Sequence, residues 1–95
     1  MKLIGKIIEI QAAVQVSEAF KKRVFVVEHV DNPLYPEYIS FELVQERCEL
    51  LDKFKPGQIV TVSFDLKGNK WVTPGGDVKY FNTVQAWQIN DLPIK

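Results

Sequence analysis

The 95-residue sequence predicts an all-β domain, five strands curled into a small barrel with one short helix between the third and fourth strands. Three observations carry this. Apolar and polar residues alternate over long runs, and a period of two marks a half-buried strand. Turn formers such as Asn32-Pro33, Pro56-Gly57 and Pro74-Gly75 punctuate those runs. Only one stretch, Glu46 to Lys55, spaces its apolar residues by three and four. The length suits one domain, residues 1–95, with 90–95 as a tail.

The first strand is long. Ile4, Ile8, Ile10, Ala12, Val14 and Val16 share one parity and form its expected core face, leaving Leu3 and Ile7 outside it. Gly5 within a strand marks a bulge or bend, which a small barrel needs in order to curl. Ser17 to Phe20 connects to the second strand, Val24 to Val30, whose mouth carries Lys21, Lys22 and Arg23. Three adjacent cations can meet phosphates; they serve equally as a solvated strand end that resists aggregation. Asp31 to Pro36 reads as a turn. The third strand, Glu37 to Gln45, sets Ile39, Phe41 and Leu43 on one face and Tyr38, Ser40 and Glu42 on the other. Tyr38 is thus an aromatic on a polar face. In the helix, Cys48, Leu51 and the Leu50/Phe54 pair form a short stripe that plugs one barrel end, and Lys55-Pro56-Gly57 stops it.

The fourth strand begins at Gln58, with Val60, Val62, Phe64 and Leu66 on one face. It runs into a long hairpin whose Pro74-Gly75 suits the centre of a type II turn. The last strand returns through Val84 to Ile89. Five strands with a helix between the third and fourth form the OB-fold arrangement, a Greek-key barrel that commonly binds oligonucleotides or oligosaccharides. On the hairpin, Lys67, Lys70 and Lys79 flank Trp71, Tyr80 and Phe81. A basic arm carrying aromatics can track a phosphate backbone and stack bases. The same residues also fit an amphipathic hairpin with its aromatics pinned on the sheet.

Composition narrows the function. Hydrophobic residues make up 46% and charged residues 25%, which excludes a disordered chain. Lys plus Arg and Asp plus Glu are both 12, so the net charge is zero and any phosphate contact must come from local clusters. Cys48 stands alone, which excludes a disulfide framework or a paired-cysteine metal site and fits the cytoplasm. The apolar start is broken at Lys6 and Glu9, so it is neither a signal peptide nor a membrane span. His29, the only histidine, has no ligand-spaced partner; no cofactor, metal or enzyme activity is expected.

From Phe54 to Val84 the sequence resembles the bacterial single-stranded DNA-binding proteins. Leu66, Lys67, Lys70-Trp71, Gly76, Tyr80 and Val84 fall at that family's spacings, and Lys55-Pro56-Gly57 before Val60-Thr61-Val62 resembles its helix exit and strand. The chain is most similar to a small, uncharacterised bacterial family related to these proteins, in which Tyr80-Phe81-Asn82-Thr83 and Ala86-Trp87 are typical. The resemblance implies single-stranded DNA, or RNA, as partner. It implies stacking of bases on Trp71 and on Tyr38, and assembly as a homodimer or tetramer. The departures are a short loop between the second and third strands, the lack of a glycine-rich linker and acidic tail, and the acids Glu28, Glu42 and Asp65 on strands facing the ligand. The candidate binding residues are therefore Trp71, Tyr38, Tyr80, Lys67, Lys70, Lys79, Lys21, Lys22 and Arg23. The alternative is an OB-like protein-interaction or oligomerisation domain that uses the same aromatics, since exposed Trp and Tyr serve protein interfaces as readily as bases.

Overall fold

The computed structural model describes residues 1–30 and 34–91. The Asn32-Pro33 turn and residues 92–95 of the expected tail lie outside the described residues. Six strands form: β1 (Lys2–Ile10), β2 (Val14–Ser17), β3 (Phe20–His29), β4 (Glu37–Val44), β5 (Ile59–Val72) and β6 (Val78–Asp91), with a 3₁₀ helix at Gln45–Lys53. The expected first strand is thus two, broken at residues 11–13. β6 runs two residues into the expected tail, pairing Asn90 with Thr61 and Asp91 with Val60. The sheet order is β1-β5-β6-β4-β3-β2, and an added β1–β3 pairing closes five of the strands into a ring. This is the OB-fold arrangement, with β2 as an extra ribbon on β3.

The core lies inside the ring. Phe25, Val27, Phe41, Leu43, Val60 and Val62 are fully buried. Phe41 stacks on Phe25 at 5.2 Å and meets Phe64 edge-on at 5.3 Å. These residues keep the parity that β4 and β5 show in sequence, and Phe64 packs half-buried at the edge of the cluster.

β1 overturns its expected parity. Leu3, Gly5 and Ile7 face inward, while Ile4 and Ile8 are exposed, and so are Val14 and Val16 on β2. The reason is a bulge. Ile7 pairs with Val27 and Glu9 with Val26, so Ile8 is an extra residue that switches the inward set from odd to even numbers. Ile10, beyond the bulge, again packs on the core. Gly5 is not the bulge itself. A Cβ there would lie 2.4 Å from Val27 Cγ1 and 2.6 Å from the Glu28 carbonyl oxygen, so only glycine lets β3 come this close.

The expected short helix is present, as a 3₁₀ helix over Gln45–Lys53 rather than 46–55, and Gln45 takes φ +55°. Cys48 and Leu51, three residues apart, eclipse at three residues per turn and are both buried. The Gln45 side chain donates to the Ala19 carbonyl at 2.7 Å and accepts from the Lys21 amide at 3.3 Å, tying the β2–β3 hairpin to the helix start.

β5 and β6 outrun the ring. At Phe64, β5 makes its last pairing with the N-terminus: the Phe64 amide donates to the Met1 carbonyl at 2.8 Å, and the Met1 ammonium donates to the Phe64 carbonyl at 3.0 Å. β6 meets β4 in a single parallel bridge, Glu42 with Gln85. Residues 65–85 therefore project as a two-stranded arm. It stretches the molecule to 56 × 33 × 19 Å and the radius of gyration to 15.2 Å, against ~12 Å for a compact chain of this length.

Candidate nucleic-acid interface

The register of the arm decides which side chains act together. Lys67 pairs with Thr83, Asn69 with Phe81, Lys70 with Tyr80 and Trp71 with Lys79. Directly paired residues share a face. Lys67, Asn69, Trp71, Lys79, Phe81 and Thr83 thus form one face, and Leu66, Lys70, Val72, Val78, Tyr80 and Asn82 the other. The second face continues the barrel's inward parity; the first continues its outer surface.

This separates Trp71 from Tyr80, and the tip is the cause. A two-residue type II turn at Pro74-Gly75 would pair Thr73 with Gly76 and Trp71 with Val78, leaving Tyr80 beside Trp71. Instead the positive φ, +90°, falls on Gly76. The Gly76 amide donates to the Thr73 carbonyl at 2.9 Å and the Thr73 amide to the Asp77 carbonyl at 2.8 Å. That is a three-residue loop closed by a left-handed glycine. One extra loop residue turns β6 over relative to β5 and brings Phe81, not Tyr80, to the side of Trp71. The sequence names Phe81 among the arm's aromatics but does not set it on the Trp71 face; the second glycine at the tip was the signal for the longer loop.

Trp71 and Phe81 are both about half exposed, at 52% and 51%. Lys79 Nζ sits 5.9 Å from the Trp71 ring centroid, within cation–π range, so the indole keeps a cation at its face. Tyr38 lies on the same outer side, on β4. Glu42 and Gln85 pair across the parallel bridge, and Tyr38 and Phe81 each lie four residues before it on their own strand, both on the outward parity. The paired Glu28 carboxylate, as a hydrogen-bond acceptor for the hydroxyl and then through its charge, raises the Tyr38 phenol above its ordinary pKa. Between the diverging strands is a groove of about 240 Å³ lined by Val24, Ser40, Glu42, Asn82, Thr83 and Val84.

The basic run at the mouth of β3 is divided. Lys22 faces outward and pairs with Glu42 at 3.3 Å. Arg23 clamps the helix: its guanidinium donates to the Gln11 carbonyl at 2.8 Å and the Cys48 carbonyl at 3.2 Å, and pairs with Asp52 at 2.9 Å. Lys21 lines a separate depression with Glu18, Glu46 and Glu49 at the helix end. Cys48 is a core residue whose thiol is pushed up in pKa by burial. The outer face thus gathers Trp71, Lys67, Lys79, Tyr38 and Lys22. Lys70 and Tyr80 lie behind it, and Lys21 and Arg23 at the barrel end.

Two solved single-stranded DNA-binding proteins have similar folds. Rim1 from mitochondria of S. cerevisiae superposes with TM-scores of 0.67 and 0.69 in two structures, at 15% identity over 97% of this chain and 92% of that one. The second single-stranded DNA-binding protein of Mycobacterium smegmatis, SSBb, gives a TM-score of 0.63 at 14% identity, over 96% of this chain and 85% of that one. Among curated proteins none matches. Residues 2–90 match the family model described as a domain of unknown function (DUF3127), and the chain belongs to that family.

Proposed function

We propose that this domain binds single-stranded nucleic acid, in the first place DNA, along the outer face of the arm and β4. The observation that carries this is the exposed face on which Trp71, Phe81, Lys67 and Lys79 stand together. Aromatics stack bases without regard to sequence, and the lysines meet phosphates. Lys67 and Trp71 are four strand residues apart, ~14 Å, room for a base or two between them. Tyr38 extends the track across the groove. The similar folds of Rim1 and SSBb, whose names describe single-stranded DNA binding, support the same reading. Lys22 is held by Glu42, and Asp65 and Glu28 also lie outward, so stacking rather than charge supplies most of the affinity.

Titration with oligo-dT at low salt, followed by tryptophan fluorescence, tests it; oligo-U in parallel separates DNA from RNA. Binding should saturate, quench Trp71 and weaken as salt rises. No binding at low salt would remove the proposal.

A second reading, self-association, rests on a different observation. Ile4, Ile8 and Val30 are exposed, as are Leu66, Val72, Val78 and Tyr80 on the back of the arm. Sequence parity assigns this role to Leu3 and Ile7, which the bulge instead turns inward. A second copy covering these apolar residues would form a dimer or tetramer. Sedimentation across a wide concentration range measures it, and a monomer throughout would refute it.

A further inference from the structure

Resting on the nucleic-acid reading, we infer that the groove between β4 and β6 takes the edge of one base and that Glu42 selects a base bearing an exocyclic amino group over thymine or uracil. The groove exists because β4 and β6 meet at one bridge and then part. Two apolar side chains, Val24 and Val84, are part of its lining and offer a surface against which a base plane can lie. Its polar groups are two hydroxyls, Ser40 and Thr83, the Asn82 carboxamide and the Glu42 carboxylate. At 240 Å³ it has room for a single base rather than a stack. Thr83 belongs to the same face as Trp71 and Phe81, so a strand stacked on the arm passes the groove mouth.

Glu42 decides the selectivity. An ionised carboxylate only accepts hydrogen bonds. Lys22 holds its Oε1 at 3.3 Å, which fixes the direction of the carboxylate. The remaining acceptor favours an amino donor: N4 of cytosine, N6 of adenine or N2 of guanine. Thymine and uracil place a carbonyl oxygen where cytosine has its amino group, so the carboxylate meets another acceptor. The hydroxyls and the Asn82 carboxamide both donate and accept, so they tolerate any base and leave the discrimination to Glu42.

The test compares oligo-dT with the same strand in which alternate thymines are cytosines, for the wild-type protein and for Glu42→Gln. Wild type should bind the cytosine-containing strand about fivefold more tightly, the lower end of what one specific base contact confers. Glu42→Gln gains a donor that thymine O4 accepts, so the preference should vanish. Removing the acid should also tighten binding to both strands, and taking the ratio cancels that shared effect. Circular dichroism verifies that the variant folds. Equal wild-type affinity for the two strands, or a preference that survives Glu42→Gln, overturns this inference and leaves the proposed function standing. Failure of both strands to bind overturns the two together.

Discussion

The barrel and the arm are written in the same alternating code and end in opposite physical states. In the ring, β5 buries Val60 and Val62 completely. A few residues later, with the parity unbroken, Leu66 and Val72 are 65% and 55% exposed. Strand periodicity states only that two faces differ. Whether either face leaves water depends on a neighbour, and β5 loses β1 at Phe64 while β6 leaves β4 at Gln85. An isolated two-stranded ribbon is marginal in water. The arm therefore depends on its anchoring in the barrel. The barrel carries stability; the arm carries exposed chemistry.

The largest effect that can break this comparison is in the core. Phe41→Ala removes a ring packed between Phe25 and Phe64. It should cost about 3–5 kcal/mol in urea denaturation, whereas Trp71→Ala should change stability by no more than about 0.5 kcal/mol. Comparable losses would mean that the arm is part of the cooperative core. Next comes Gly5→Ala, whose Cβ runs into Val27 and the Glu28 backbone. Overpacking of that kind costs about 1–3 kcal/mol, and an unchanged midpoint would show that β1 and β3 separate easily.

On the arm the two faces can be set against each other. Trp71→Ala and Phe81→Ala should each weaken oligo-dT binding about tenfold, within the ~1–3 kcal/mol of a stacked base. Tyr80→Ala, on the reverse face, should leave it nearly unchanged. If Tyr80 proved the more sensitive, the strand would run along the back of the arm. The smallest expected effect is electrostatic. Lys79→Ala should lower the salt slope by about one, and Lys70→Ala by less, as seen in titrations at several salt concentrations.

Much of the fold was legible because its signals are local. The parity of Ile39, Phe41 and Leu43, the stop at Pro56-Gly57 and the long hairpin each reside within a few consecutive residues, and each matches its element. That Trp71, Lys67 and Lys79 stand on the hairpin and that Tyr38 points outward was legible for the same reason. What failed depended on one residue's offset. The bulge at Ile8 exchanged the faces of β1, and the third loop residue at Gly76 exchanged Phe81 for Tyr80. Sequence by itself determined which segments are strands, where the helix interrupts them and that an arm carries aromatics among lysines. Tertiary structure alone decided which face each strand turns inward, how Arg23 is drawn into the helix clamp and away from Lys22, and that Ser40 and Glu42 stand across a groove from Asn82 and Thr83. A period of two is invariant to which face is buried, and a single inserted residue reverses it; only the pairing partner across the sheet supplies the missing reference.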